Sequence, residues 1–277
     1  MKKLTKVIMS GAAVAALGCA MTAGLAGCGN DKSTINITGS SSVSPLMSVL
    51  ADEYMDAHSN VNILVQTSDS TSGVTDTQSG KNNLGMASRA LKDEETGVTS
   101  VKICDDGVAL IVNPNCTVTS VTSAEVYELY ANGTAIQGTL TNAITREDGS
   151  GTRDAFDGLI KNVAGNKLSA LTSFADCVEE SNGTGAVKSD IAANSNGNKV
   201  GYISMGALNN TVKALVYEGV EATAANVKSG DYKLARPFNV LYNTEKGLSG
   251  ATKEFLDWIL SAEGQQIVES EGYVTIL

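Results

Sequence analysis

"REDGSGTRDAF", Arg146 to Phe156, gathers two arginines, a cluster of acids and a Gly-Ser-Gly-Thr run into a few positions. Three readings compete: a plain polar loop, a nucleophilic serine, or a cradle for an anion. The segment before it, "LTNAITRE", reads as a strand. After it, Phe156, Leu159, Ile160 and Val163 recur at helical spacing, so a helix starts within or just after "GSGT". Strand, short loop of small residues, helix: this is the unit from which α/β folds are assembled.

The same grammar recurs. "INITG" (Ile35 to Gly39) alternates like a strand, and "SSSVSPLMSVLADEYMDAH" opens a helix. In that helix Ser residues are cap candidates, Pro45 suits a first turn, and Leu46, Val49, Leu50 and Tyr54 share a face. "VNILVQT" is a strand running into "SDSTSG", and "NLGMASRAL" is a short strand followed by Ser88 and Arg89. "DGVALIVNP" (Asp106 to Pro114) is a run of the buried-strand type. Thr122 and Glu125 carry the T-x-x-E spacing of a capped helix ending near Gly133. "KVGYISMGAL" and "RPFNVLYN" are further strands, and one or two helices close the chain, with Trp258 in their core face. No repeat and no Pro-rich linker divides the chain.

The N-terminus carries Lys2, Lys3 and Lys6 ahead of an uncharged run from Val7 to Ala26, the pattern of a secretory leader. Its end, "LAGC" (Leu25 to Cys28), is similar to a bacterial lipobox, which predicts cleavage after residue 27 and lipid on Cys28; an uncleaved anchor helix is the alternative. "GNDKST" then forms a short tether. The formal charge is −10, and loss of the three lysines makes it more negative. That speaks against nucleic acid and against a polybasic membrane surface, but not against a small buried anion held by local donors. Cys104, Cys116 and Cys177 follow Cys28; Cys104 and Cys116 either close a loop or stay unpaired. No spacing matches a metal motif. His58, the one imidazole, falls at a helix end, where pairing with the helix dipole suits it.

"GSSSVSP", "SDSTSGV" and "DGSGTRD" share one design. Helix N-termini present free N–H groups and a positive dipole end, small residues let an oxyanion approach, and hydroxyls add donors. Arg146 supplies a planar fork for two oxygens, with Asp148 as the candidate brace of that guanidinium. The loop is no G-x-S-x-G elbow, since Asp148 stands where Gly is needed, and no Walker loop.

The strings "TGSSSVSPLM", "LGMASRAL", "DGVALIVNP", "REDGSGTRDAF", "GYISMGAL", "GDYKLARPF" and "SAEGQQIV" occur in this order. Together they resemble the phosphate-binding lipoproteins of the high-affinity phosphate ABC importer, the PstS family, over nearly the whole chain after Cys28. The resemblance implies a type II periplasmic-binding-protein fold: two α/β lobes joined by crossing strands, lobe 1 from residues 35–108 and 236–277 and lobe 2 from 109–235. It implies phosphate ligands at Arg146, Ser150, Gly151 and Thr152 from one lobe and Ser70 from the other. Val43 and Ser44 stand at further aligned positions, with Ser42 just before them and the inward hydroxyl undecided. Ser88 occupies the place of an aspartate that accepts the proton of hydrogen phosphate in better-known relatives, and Asp148 is the candidate for part of that role. "NGTAIQGTLTNAI" is shorter than the family's usual segment. No cofactor, metal or chemistry is implied. The expected partners are phosphate and the permease and ATPase of an importer, with the protein a monomer outside the cytoplasm. Alternatives are another tetrahedral oxyanion such as sulfate or arsenate, a phosphate-sensing surface lipoprotein, and a phosphoesterase using Ser150.

Overall fold

A single long strand organises the chain. Val98–Val112 lies antiparallel to Ala235–Asn243 through its first part, from Val98 opposite Asn243 to Gly107 opposite Ala235. From Val108 onward it pairs instead with Lys199–Ser204. "VALIV" is apolar at every position because both faces of this second part are covered. Val108, Leu110 and Val112 enter one core, while Ala109 and Ile111 enter another on the opposite face.

The computed structural model describes residues 32–277; the predicted leader and Cys28 lie outside the described residues. In chain order the strands are β1 Ser33–Ser40, β2 Val61–Ser68, β3 Leu84–Ala87, β4 Val98–Val112, β5 Ser120–Val121, β6 Asn142–Arg146, β7 Val178–Ser181, β8 Lys199–Ser204, β9 Lys213–Ala214, β10 Val216–Tyr217 and β11 Ala235–Asn243. The helices are α1 Ser44–Ala57, α2 Ser70–Ser79, α3 Ser123–Asn132, α4 Gly151–Leu159, α5 Gly183–Ala193, α6 Ala224–Ser229, α7 Gly250–Leu260 and α8 Ala262–Ser270. The main sheet runs β2-β1-β3-β11-β4-β8-β6-β7, with β9 added beside β4. β1, β2 and β3 are parallel to one another, as are β6, β7 and β8, which requires the helical crossovers that α1, α2 and the segments around α4 and α5 supply. The two groups of parallel strands are joined through the antiparallel β4 and β11, giving the two α/β lobes with crossing strands that the resemblance implies. Among the described residues no helix is long and apolar enough to cross a membrane.

The first lobe packs Ile35, Ile37, Leu46, Leu50, Met86, Phe238, Phe255 and Ile259 into one core, with Trp258 against its edge. The second packs Leu129, Tyr130, Phe156 and Tyr202 under α3 and α4, Phe156 stacked on Tyr202 at 3.9 Å. Burying one such ring contributes about 1.5–3 kcal/mol. α2 lies unusually close to its sheet because Gly39 and Gly73 face each other across Met86. A Cβ on Gly39 would meet the Met86 carbonyl at 2.3 Å, and one on Gly73 would meet it at 2.6 Å.

Several local expectations need correction. α1 begins after Val43, which provides no side-chain cap, so none of the serines caps it. α4 ends at Leu159, and Val163 beyond it is 96% exposed rather than part of an apolar face. Of the two alternatives for Cys104 and Cys116 the unpaired one holds: Cys104 belongs to the first-lobe core and Cys116 to the second, and both are free thiols. Other expectations hold. Thr122 and Glu125 form a reciprocal capping box on α3. His58 ends α1 with its Nδ1 2.9 Å from the Tyr54 carbonyl and its ring stacked on Tyr54.

Candidate functional site

Each loop at the centre of the molecule is short because a parallel strand ends and its crossover helix begins at once. Four helix N-termini, those of α1, α2, α4 and α5, meet there and bring a set of buried hydroxyls together.

From Ser40, the last residue of β1, the chain passes Ser41 and Ser42 before α1. Ser42 is the serine that turns inward, its Oγ 2.9 Å from Thr152 Oγ1 and 3.0 Å from Thr184 Oγ1. Ser40 Oγ donates to Ser88 Oγ at 2.9 Å. The side chains of the aligned neighbours do not join them. Val43 places its side chain in the core and donates its N–H to the Ser40 carbonyl. Ser44 Oγ is 2.7 Å from Thr67 Oγ1. After β2, Asp69 caps α2 by accepting the Ser72 N–H. That fixes Ser70, whose Oγ accepts the Ser88 N–H at 3.1 Å and lies 3.3 Å from Ser88 Oγ. Ser70 and Ser88 are both fully buried.

The opening stretch arrives from the other side. Arg146 is the last residue of β6 and is 1% exposed. Ser150 caps α4 by accepting the Arg153 N–H. Gly151 then packs so tightly on the first-lobe loops that an added Cβ would meet Ser70 Oγ at 2.3 Å and Ser88 Oγ at 2.8 Å. Thr71 donates its N–H to the Gly149 carbonyl across the same gap. Arg153 turns away, over the Phe174 ring and toward Asp157 and Glu180.

The brace of Arg146 is Glu147, not Asp148. Arg146 Nε donates to Glu147 Oε2 and Nη2 to Oε1, both at 2.7 Å, and Glu147 Oε2 also accepts the Gly183 N–H. Burial opposes ionisation of Glu147, but the Arg146 hydrogen bond and charge outweigh it and hold the carboxyl below its ordinary range. Asp148 sits exposed at the turn, in a separate surface hollow with Arg153, Asp154 and Asp157, so it neither braces the fork nor substitutes for a carboxylate at position 88. On its forward side Arg146 Nη2 donates to Ser41 Oγ at 3.0 Å. Its Nη1 donates to Thr184 Oγ1 at 3.3 Å and Thr152 Oγ1 at 3.4 Å.

Sequence reasoning missed three contributors. Thr184 lies in the first turn of α5, after "SN", a fourth loop of the same design whose preceding strand, "VEES", is too polar to be read as one. Arg236 and Asp106 are register partners on β11 and β4. Arg236 donates from Nε and Nη2 to Asp106 Oδ2 at 3.2 and 3.0 Å, and from Nη1 to Thr152 Oγ1 at 2.6 Å. Burial pushes the Asp106 carboxyl up, while Arg236 and the Ser204 hydroxyl pull it back.

The chemistry available is donation. Two guanidiniums, a ring of hydroxyls and four positive helix ends surround one point. Ser150 Oγ is engaged as a helix cap, and His58 lies at the far end of α1, about 20 Å along the helix. Among the described residues no cluster of metal-ligating side chains occurs. A cavity of about 620 Å³ bordered by Ser123, Leu159, Val163 and Tyr217, with Lys161 and Lys233 at its edge, lies elsewhere and shares no residue with this cluster.

A two-lobed α/β body with anion-type donors at the lobe junction defines a substrate-binding protein of the type II periplasmic class. Comparison with known proteins agrees. Residues 26–263 match the PBP superfamily domain. The phosphate-binding protein PstS 2 of Streptococcus agalactiae is 39% identical over 139 residues, which cover 49% of this chain and 45% of that protein, so the chain matches less than half the length of this relative. The phosphate-binding protein PstS of Bacillus subtilis is 28% identical over 88% of this chain and 81% of its own. A Clostridium perfringens phosphate ABC transporter substrate-binding protein, solved with bound phosphate, is 34% identical with a TM-score of 0.80, covering 88% of this chain and all of that one. The chain belongs to the PBP superfamily and, within it, to the PstS family of phosphate-binding proteins.

Proposed function

We propose that this protein captures inorganic phosphate outside the cytoplasm and delivers it to the membrane permease of an ATP-driven importer, performing no chemistry itself. The observation that carries this reading is the convergence of four helix N-termini and the carboxylate-braced Arg146 on one buried hydroxyl cluster. A dehydrated anion is held by such fixed dipoles whatever the net charge of the surface. Arg146 is the fork, Ser150, Gly151 and Thr152 the helix-end cradle, and Ser42, Ser70 and Ser88 the donors from the facing lobe. Lobe 1 (residues 35–108 and 236–277) and lobe 2 (109–235) close on the ligand about β4 and β11, and closure reports occupancy to the permease. Residues 1–27 are a leader, Cys28 carries the lipid that anchors the protein to the outer face of the membrane, and the protein acts as a monomer.

Ser88 by itself does not separate hydrogen phosphate from one variant within this class. A hydroxyl both donates and accepts, so an oxyanion without a proton, such as sulfate, fits position 88 as well as hydrogen phosphate does. Calorimetry of the purified protein with phosphate, arsenate and sulfate at neutral pH separates the two. Phosphate and arsenate are expected to bind tighter than sulfate; tighter sulfate binding overturns the phosphate assignment. A Cys28→Ala variant is expected to leave the membrane fraction, and retention there would contradict the anchor.

A further inference from the structure

We propose that Arg236, on the crossing strand β11, is a second guanidinium ligand of the bound anion. This rests on the anion-binding reading above and names a residue that no loop of the three-loop pattern contains.

The two guanidiniums are built alike. Arg146 gives its Nε edge to Glu147, and Arg236 gives its Nε edge to Asp106. Each is thereby fixed from behind by one carboxylate and turns Nη1 forward. Both forward nitrogens meet at the same atom, Thr152 Oγ1, at 3.4 Å from Arg146 and 2.6 Å from Arg236. A hydroxyl has two acceptor positions and one hydrogen. With both guanidiniums donating, the Thr152 hydrogen is left for Ser42 Oγ at 2.9 Å. An anion oxygen bonded at Thr152 therefore lies within reach of both forks.

The alternative, that Arg236 only ties the strands together, accounts poorly for its surroundings. It is 4% exposed and its partner Asp106 is fully buried. A buried ion pair costs desolvation that a pair of apolar side chains avoids, so a merely structural post gains little from being charged. Its Nη1 has only neutral acceptors, Thr152 Oγ1 and the Ser88 carbonyl at 3.4 Å. An oxyanion supplies the charged acceptor that such a donor binds most strongly. Arg236 also touches both lobes through these two contacts while sitting on the strand that joins them. An anion it holds is in contact with the crossing strands as well as with both lobe faces.

The test uses phosphate calorimetry and thermal melts on the whole protein, with Arg236→Lys and the double variant R236M/D106N. Lysine keeps a charge for Asp106 but cannot serve Asp106 and the anion together; the double variant removes the buried pair without leaving a lone charge. Both are expected to melt near the parent and to bind phosphate roughly 10- to 100-fold more weakly, the loss of one charge-assisted hydrogen bond. Parent-like affinity in a folded variant overturns the proposal. Should both variants misfold, a phosphate-bound crystal structure of the parent decides. Arg236 Nη1 within about 3.2 Å of a phosphate oxygen supports the assignment, and Nη1 left on Thr152 alone refutes it. If the parent binds no tetrahedral oxyanion, the anion-binding reading itself has failed. If the parent binds and Arg146 variants lose binding while Arg236 variants do not, only this inference has failed.

Discussion

Replacing Arg146 by alanine should remove most of the affinity for phosphate, and the structure says how much and why. Two edges of the guanidinium behave differently. Nε and one N–H of Nη2 are held by Glu147, while Nη1 and the remaining Nη2 hydrogen face Ser41, Thr152 and Thr184. Those forward groups are the ones a ligand engages. Two hydrogen bonds to a charged group contribute about 1.5–3 kcal/mol each, so the loss is about 3–6 kcal/mol, or roughly two to four orders of magnitude in Kd. The substitution also strips Glu147 of the cation that neutralises it, leaving a half-buried carboxylate facing an incoming anion. Glu147→Gln alone keeps Arg146 charged but loosens its aim, and about 1–2 kcal/mol is expected. The double variant R146A/E147Q should lose less than the sum of the two, because the repelling carboxylate is gone; a coupling of about 1 kcal/mol or more is expected for groups in direct contact. Calorimetry on the four proteins of this cycle, with melts to confirm folding, measures it. Near-parent affinity for Arg146→Ala, or strict additivity of the cycle, would refute the reasoning.

Three further outcomes follow from particular contacts. Gly151→Ala suits the helix but places a Cβ 2.3 Å from Ser70 Oγ; phosphate titration should show at least a tenfold loss, with a melting temperature changed little. Asp154 pairs with Arg89 at 2.8 Å and Lys92 at 3.0 Å across the lobe junction. Asp154→Ala is expected to weaken phosphate roughly fivefold in low salt and by less as salt screens the parent's pair. Burial raises the Asp157 carboxyl from 3.8 to about 7, against the pull of Arg153. Because the folded protein then binds the proton more tightly than the unfolded chain, this group's contribution is full below pH 4 and is lost as pH rises through 7. The difference corresponds to at most about 4 kcal/mol. Asp157→Asn should therefore gain about 1–2 kcal/mol over the parent at pH 8.5, after loss of the Arg153 pair, and no gain in chemical denaturation at pH 8.5 would contradict this.

What could be read in the sequence was whatever is local. The buried run "VALIV", the capping box at Thr122 and Glu125, and the helix start after Ser150 each rest on residues within one turn or one strand. The wrong brace, Asp148 for Glu147, shows where locality ends. Counting two residues along assumes a continuing strand, but β6 stops at Arg146 and the chain turns, with Ser150 N–H donating to the Glu147 carbonyl. That turn folds Glu147 back onto Arg146 and leaves Asp148 outside. Arg236 and Asp106 were beyond reach for another reason: 130 residues separate them, and only the antiparallel register of β4 and β11 puts them side by side. Thr184 was legible in principle, since "SNGTG" repeats the small-residue loop. The strand ahead of it, "VEES", exposes both glutamates, so the pattern was hidden. Among the three serines at the end of β1 and just beyond it nothing in composition distinguishes them; the chain's path sends Ser41 to Arg146, Ser42 to Thr152 and Ser40 to Ser88.

The central claim is that the buried hydroxyl cluster is the phosphate site. A crystal structure of the purified protein grown with phosphate tests it most directly. The account predicts one phosphate with oxygens in hydrogen-bond reach of Arg146, Ser70, Ser150 and the start of α4, and both lobes in contact with it. Phosphate bound elsewhere, or none at that cluster at saturating concentration, would contradict it.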